Sequence, residues 1–226
     1  MTESPEKLNI NKKEIYRYLG IQRPGPEPAT VSLVDSVIAE LMVTALLREF
    51  HQDFPVHVLQ DDEHTIDFGF FRTHSRSLEK NLKGCSRIIM MAATIGSKVD
   101  LLLRRYSLTQ TSRGVVMQAA SAEFIESWCN LICDRLKTEY AAKGLFLRPR
   151  FSPGYGDFSL ENQKNLFQVL QVEKRVGIAL TDSLLMLPSK SVTAVIGAGD
   201  EDLMCVKEGC EVCSKSNCLY RRNTGD

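Results

Sequence analysis

Apolar residues recur every three or four positions between Thr30 and Phe50, which is the spacing of one buried helix face. The pattern predicts a helix over residues 30 to 50 with its apolar side turned toward a core. The positions that share this face are Val34, Val37, Ile38, Leu41, Met42, Ala45 and Leu46.

Shorter runs of β-forming residues follow this helix. "PVHVLQ" (55–60) and "HTIDFGFF" (64–71) flank the acidic turn "DDE" and predict a hairpin. "RIIMMAATIG" (87–96) predicts a buried central strand that ends at Gly96, and "SKVDLLLRRY" (97–106) predicts a helix directly after it.

The longest periodic segment runs from about Arg113 to Ala142, and Gly144 is in position to cap its end. Farther along, the pattern predicts a helix near residues 160 to 177 and a shorter one in "TDSLLMLP" (181–188), stopped by Pro188. A final strand is predicted in "SVTAVIG" (191–197).

These elements do not alternate regularly as β-α-β units, which predicts the α+β class. We expect a curved, mainly antiparallel sheet covered by the helices at 30 to 50 and 113 to 142. Three regions are predicted: an N-terminal cap and linker (1–29), a core (30–200) and a cysteine-rich tail (201–226). The cap contains a short amphipathic helix in "KKEIYRYLGI" and the breaker "RPGPEP".

Composition narrows the classes of partner. The 28 basic residues balance the 28 acidic ones, which argues against a nucleic-acid or membrane-surface binder and favours small molecules or proteins. No apolar run approaches the roughly 20 residues that span a bilayer, and no secretion signal precedes the seven cysteines. We therefore expect a cytoplasmic protein without a disulfide framework.

The loop "RPRFSPGYGDFSLENQ" (148–163) has a defined shape but no period. Its prolines stiffen the backbone, while Gly154 and Gly156 allow angles closed to other residues. An arginine can fork onto a carboxylate, and the Tyr155 ring can face a cation or an adenine, so the loop is suited to a zwitterionic ligand with an aromatic base. From residue types alone, a rigid turn with a groove-filling tyrosine remains equally open.

Further side chains that could carry chemistry lie on the long helix and elsewhere. Glu126 lies at the margin of the apolar stripe, where it could meet an amine or hydroxyls or remain a solvated edge residue. Cys129 and Cys133 are one turn apart and are better explained by core packing, as is Cys85 beside a strand. The four histidines show no metal-ligand spacing and receive no role.

The tail contains four cysteines spaced by four, two and four residues: Cys205, Cys210, Cys213 and Cys218. Four thiolates so close together would repel one another, which predicts a bound cation or cluster. The first three have the spacing of a plant-type ferredoxin loop, which favours an iron-sulfur cluster, and structural zinc is the alternative.

The loop and its downstream sequence together resemble the activation domain of cobalamin-dependent methionine synthase. "RFSPGY" (150–155) matches an arginine five residues before the tyrosine of a Pro-Gly-Tyr motif. "LQVEKRVGIALTDSLLMLPSKSV" (170–192) matches the Val-Glu-Lys helix, the Leu-Thr-(Glu or Asp)-Ser segment and the Pro-x-x-Ser-Val strand of that family. The firm part of the resemblance covers residues 148 to 197.

The resemblance implies binding of S-adenosylmethionine and its presentation to cobalamin that has become oxidised by one electron. By position it implies that Arg150 binds the ligand carboxylate, that Pro153, Gly154 and Tyr155 form the motif, and that Glu126 is the acidic residue of the long helix. No module for homocysteine, folate or cobalamin is found in the chain. The implied partner is a cobalamin-dependent methionine synthase that lacks this domain and carries the cobalamin. An electron donor is a possible second partner.

Three departures from the family pattern predict a ligand that binds more weakly or in another pose. Gly144 stands where a family glutamate lies six residues before the arginine, and Met204 and Cys205 replace a pair of tyrosines. No counterpart of an N-terminal aspartate motif is found.

Overall fold

The computed structural model describes residues 2–21 and 25–202. These residues form ten strands: β1 (Thr2–Glu3), β2 (Leu47–Pro55), β3 (His57–Val58), β4 (Thr65–Asp67), β5 (Arg72–His74), β6 (Cys85–Thr94), β7 (Phe146–Leu147), β8 (Ala179–Leu180), β9 (Met186–Leu187) and β10 (Ser191–Gly199). They also form seven α-helices: α1 (Lys12–Tyr18), α2 (Pro28–Thr44), α3 (Arg76–Asn81), α4 (Ser97–Thr109), α5 (Thr111–Ala141), α6 (Asn162–Leu170) and α7 (Val172–Val176). A short 3-10 helix spans Pro5–Lys7.

The main sheet has the strand order β1-β2-β6-β10-β7, and every neighbouring pair in it is antiparallel. Two smaller antiparallel sheets, β3-β4-β5 and β8-β9, stand apart from it. The predicted α+β class with a mainly antiparallel sheet is confirmed, as are the hairpin after residue 55 and the central position of β6.

Strand β6 separates two hydrophobic cores. Because successive side chains on a strand point to opposite faces, its run of apolar residues serves both cores. Ile89, Met91 and Ala93 pack with α2 and α5, whereas Ile88 and Met90 pack with the side that holds α3, α6 and α7. The sheet is thus a middle layer between two helical layers.

Helix α5 is the central element of the first core, the one that contains α2 and α5. Its fully buried Trp128 donates a hydrogen bond from Nε1 to the carbonyl oxygen of Arg48, 3.2 Å away, which fixes the helix against β2. Leu8 and Ile15 from the N-terminal region pack into the same core. The long helix predicted from Arg113 to Ala142 is confirmed.

The helix predicted over 30 to 50 is confirmed up to Thr44 and wrong beyond it, since α2 ends there and β2 begins at Leu47. Ala45 takes an extended conformation, and the amide of Leu46 donates to Ile95 across the sheet at 2.9 Å. Pairing of β2 with β6 from Arg48 to Pro55 supplies backbone hydrogen bonds that a continued helix would have to give up.

Two later predictions also need correction. The helix at 160 to 177 is broken into α6 and α7 at Gln171, whose φ of 49° is left-handed. "TDSLLMLP" forms the turn and the second strand of the β8-β9 hairpin and not a helix. There the Thr181 hydroxyl accepts a hydrogen bond from the Leu185 amide at 3.0 Å, a local bond that competes with helix formation.

Among the described helices, none combines the length and apolar character required to cross a bilayer.

Candidate functional site

Arg150 lies beside the edge of the main sheet, just after β7. Leu147 is paired with Ala198 of β10, and Phe151 is paired with Val195. The segment from Leu147 to Phe151 therefore has one residue more than the stretch of β10 that lies opposite it. The extra residue acts as a bulge and turns the side chain of Arg150 toward α5, while Phe151 packs in the second core.

The guanidinium of Arg150 is held by three side chains of one α5 face. Its Nη2 donates to Glu126 Oε2 at 2.9 Å, and its Nη1 donates to Asn130 Oδ1 at 3.0 Å and to Cys133 Sγ at 3.6 Å. Residues 126, 130 and 133 share a face because they are separated by four and three positions. The structure thus brings together the two residues that the sequence singled out separately, Arg150 and Glu126.

Arg150 still has hydrogen-bonding capacity. A guanidinium has five N–H donors, and three are accounted for by these contacts. Nε–H and one Nη2–H of Arg150 have no acceptor among the described residues. Its side chain is 21% exposed, compared with 43% for Glu126, so both remain accessible to a ligand. An edge with two parallel donors suits a carboxylate.

The pair borders a polar cleft of about 600 Å³ between α5 and the N-terminal region. Neutral lining comes from side chains that include Asn9, Asn11, Tyr18 and Asn130. The charged residues that line the cleft are predominantly acidic: Glu14, Glu123, Glu126 and Asp134, with Lys7 and Arg150 as the cations. This cleft therefore favours a ligand that carries positive charge along part of its length.

Glu123 joins the N-terminal region to α5. Its Oε1 accepts from the backbone amide of Asn11 at 3.1 Å and from the Ser127 hydroxyl at 2.9 Å. Ser127 also contacts the carbonyl oxygen of Asn9 at 3.0 Å. Burial raises the pKa of Glu123, although the hydrogen bonds from Asn11 and Ser127 partly oppose that rise. This network sets the position of the cleft's N-terminal wall.

The N-terminal wall was missed by the reasoning from sequence. Asn9, Asn11 and Tyr18 lie more than a hundred positions from the α5 residues that they face, and no motif links the two segments. The one signal in the sequence was Glu123 itself, because a carboxylate inside an apolar helical stripe requires a polar partner.

The Pro-Gly-Tyr motif lies outside the cleft lining. Pro153 is buried, Gly154 has a φ of 91° and donates to Phe158 at 2.7 Å, and Tyr155 is 66% exposed. The structure therefore does not place these three residues beside Arg150 in the cleft, and their contact with a ligand stays a prediction.

Asp157 anchors this loop to the start of α3. Its carboxylate accepts from the Ser75 hydroxyl at 2.6 Å and from the amides of Arg76 and Ser77 at 2.9 and 3.0 Å. The Ser75 hydrogen bond, followed by those from Ser77 and Arg76, holds the pKa of Asp157 well below its usual range. The loop is therefore fixed to the second helical layer.

The described cysteines do not form a metal site. Burial raises the pKa of Cys129 to about 12, in keeping with the packing role expected for it. No group of three or more His, Cys, Asp or Glu suited to a metal occurs within residues 2–21 and 25–202. The four tail cysteines, Cys205, Cys210, Cys213 and Cys218, lie outside the described residues, as do Met204 and its neighbours.

Comparison with known proteins identifies the class. The family described as "Vitamin B12 dependent methionine synthase, activation domain" matches residues 80–203, more than half of the chain and the part that contains Glu126, Arg150 and the Pro-Gly-Tyr motif. The chain belongs to this family of activation domains. No curated protein matches it by sequence.

The fold agrees with that assignment. A crystal structure of the MetH reactivation domain bound to AdoHcy superposes with a TM-score of 0.68 at 15% sequence identity. The match covers 89% of this chain and 78% of that one. At this identity the superposition establishes a common fold, and the ligand is a property of that domain.

Proposed function

We propose that this protein binds S-adenosylmethionine and acts as a reactivation partner of a cobalamin-dependent methionine synthase that lacks its own activation domain. The observation that supports this most directly is the Arg150–Glu126 pair, at 2.9 Å, on the wall of a polar cleft in a chain of this family. The partner carries the cobalamin, and both proteins act in the cytoplasm.

The side chains of the cleft fit the charges of this ligand. Arg150 offers Nε–H and a second Nη2–H to the ligand carboxylate, while Glu126 and the other acidic residues face its ammonium and sulfonium groups. The AdoHcy held by the structurally similar domain is the same molecule without the transferred methyl group. A ligand that is anionic at one end and cationic beyond it suits an arginine bordered by carboxylates.

The protein's contribution is placement. With a cobalamin carried by the partner, one electron and the sulfonium methyl group yield methylcobalamin, and the sulfur leaves as a neutral thioether with the electron pair of the broken bond. Arg150 and Glu126 hold and orient the methyl donor in this reaction, and neither acts as a nucleophile.

We further propose that Cys205, Cys210, Cys213 and Cys218 bind an iron-sulfur cluster that supplies or relays this electron. The support is their spacing in the sequence. The alternative to the cluster is zinc. The corresponding alternative functions are an iron-sulfur electron-transfer protein, or a zinc-stabilised interaction module for a corrinoid protein. Anaerobic purification followed by assays of iron, sulfide and zinc decides between them, because one zinc without iron would contradict the cluster.

Calorimetric titration with S-adenosylmethionine tests the binding proposal. Arg150→Ala removes a charge-assisted pair worth about 1.5–3 kcal/mol, so we expect the Kd to rise about tenfold to a hundredfold. Arg72→Ala is the matched control, because Arg72 is 67% exposed and pairs with Asp67 in a separate sheet. The proposal fails if the wild type does not bind, or if both variants bind equally well.

A further inference from the structure

A second, smaller cavity of about 280 Å³ adjoins the cleft at Asn130 and Arg150. We call it the cationic pocket, because Lys137, Arg148 and Arg150 line it and no carboxylate occurs among the described residues that do so. Arg150 contributes charge here and no new contact, since the Nη1 that faces this pocket already donates to Asn130 and Cys133.

Arg148 is a buried cation without a paired anion. Only 3% of this residue is exposed, and its guanidinium donates to the carbonyl oxygens of Glu201 and Lys83 at 3.0 and 3.4 Å. No carboxylate of the described part of the chain pairs with it. Because a buried charge is costly unless an opposite charge accompanies it, Arg148 indicates that an anion binds in the cationic pocket.

Lys137 is the second cation that can meet such an anion. Its pair with Asp134, at 3.3 Å, is weak and easily exchanged, because both side chains are more than 60% exposed. Asp134 lines the cleft and does not line the cationic pocket. Lys137 and Arg148 therefore offer one exposed and one buried positive charge to the same space.

The C-terminal tail starts beside this pocket. Arg148 holds the carbonyl oxygen of Glu201, and Cys205, the first cysteine of the tail, follows only four residues later. Four residues span about 14 Å at most, so a metal bound by Cys205 is confined to this end of β10. This limit follows from chain length alone.

The metal centre predicted for the tail has the charge that the pocket lacks. Zn²⁺ with four thiolates has a net charge of about −2, and so does an oxidised iron-sulfur cluster held by four thiolates. Two lysines and two glutamates between the first and last cysteine cancel: Lys207, Glu208, Glu211 and Lys215. Residues 205–218 are therefore anionic once the metal is bound.

We infer that the cationic pocket is the docking site of residues 205–218 with their bound metal. This inference rests on the metal site proposed above and extends it by giving that site a place in the fold. The metal-thiolate group lies against Lys137 and Arg148 and balances the buried charge of Arg148. A redox centre docked there adjoins Arg150 and, through it, the cleft proposed for the methyl donor.

Competition with a chelator measures the affinity of the full-length protein for Zn²⁺ at fixed pH and low salt. For Lys137→Gln we expect the Kd of Zn²⁺ to rise about threefold, as for one exposed charge pair, and for Lys137→Glu about tenfold, because attraction becomes repulsion. Added salt should reduce both effects. Lys164→Gln and Lys164→Glu are the matched controls, because Lys164 has a similar exposure and a similar pair with Glu161 but lies on α6.

Replacement of Zn²⁺ by Co²⁺ reports where the metal lies, because paramagnetic Co²⁺ broadens the NMR signals of nearby amides. We expect the amide signals of Cys133 and Lys137 to be broader in the Co²⁺ form of the wild type than in its Zn²⁺ form. In Lys137→Glu the Cys133 signal should be broadened less, whereas Lys164→Glu should behave like the wild type.

The outcomes separate this inference from the proposals beneath it. An unchanged Kd in both Lys137 variants, or a Cys133 signal that Co²⁺ leaves sharp, overturns the docking site alone. A wild type that does not bind Zn²⁺, or binds it no better than Cys210→Ser, overturns the metal site as well. Titration with S-adenosylmethionine tests the binding proposal independently of both results.

Discussion

Asp157 should stabilise the whole domain through its hydrogen bonds to the start of α3. In Asp157→Asn, Oδ1 can still accept from Ser75 and Ser77, but the new amide group faces the backbone N–H of Arg76, where a carboxylate oxygen accepted before. One hydrogen bond and the negative charge at the helix start are lost. A hydrogen bond contributes a net value of about 0.5–1.5 kcal/mol, and the charge at the helix start adds to this. We therefore expect the free energy of unfolding to fall by about 1–2 kcal/mol.

This loss should affect global unfolding and not only the loop. Leu78 of α3, Leu82 directly after it and Phe158 of the loop are buried in the same core, so a weaker attachment of the loop to α3 destabilises one cooperative unit. Urea denaturation at neutral pH measures the change. Asp182→Asn is the control, since the Asp182 carboxylate is exposed and accepts no hydrogen bond from the described residues. Equal stability of the two variants would refute the reasoning.

The pH dependence gives a second check on Asp157. Its pKa is lower in the folded state than in the unfolded chain, so its contribution is complete above the unfolded pKa, near 3.9, and is lost as the pH falls through the folded value. The difference in unfolding free energy between wild type and Asp157→Asn should therefore narrow in acid. A difference that stays constant down to the lowest pH at which the protein folds would contradict this assignment.

Three further predictions concern the packing of β10, the ionisation of Glu123 and the role of Tyr155. Gly199→Ala should destabilise the protein by about 1–3 kcal/mol in urea denaturation, because a Cβ there would overlap the carbonyl oxygen of Gly84, and unchanged stability would contradict that packing. Glu123→Gln should raise the unfolding free energy at pH 8, with a gain that shrinks as the pH falls, since burial raises the pKa of Glu123 and its ionisation opposes folding; a constant difference would exclude this cause. Tyr155→Ala should change stability by less than about 0.5 kcal/mol, because the ring is 66% exposed, yet weaken S-adenosylmethionine binding in calorimetry; unchanged affinity would remove Tyr155 from the site.

Elements with a strong local pattern were predictable from the sequence. The apolar positions of α5 recur at helical spacing over eight turns, and the short continuous apolar run of β6 is typical of a buried strand. The β2 strand was not predictable from the sequence, because the apolar positions before Phe50 continue the helical spacing by chance. What decides its state is pairing with β6, some forty residues away, which no local pattern reveals.

Some residues of the candidate site could likewise be predicted from the sequence, and others could not. Arg150 could be found because it belongs to a short motif, and Glu126 because it breaks the stripe of a regular helix. Asn11 and the anchoring role of Asp157 could not be found, because each depends on a contact spanning 112 or 82 positions. Such contacts follow from the packing of the finished fold and leave no spacing in the sequence.

Methyl transfer in a reconstituted system tests the central claim most directly. The components are S-adenosylmethionine labelled in its methyl group, a reductant, and a methionine synthase lacking an activation domain with its cobalamin oxidised by one electron. We predict that the wild-type protein transfers the label to cobalamin and restores turnover, and that Arg150→Ala does so much more slowly at subsaturating S-adenosylmethionine. Recovery at the same rate without the protein, or no transfer with it, would contradict the account.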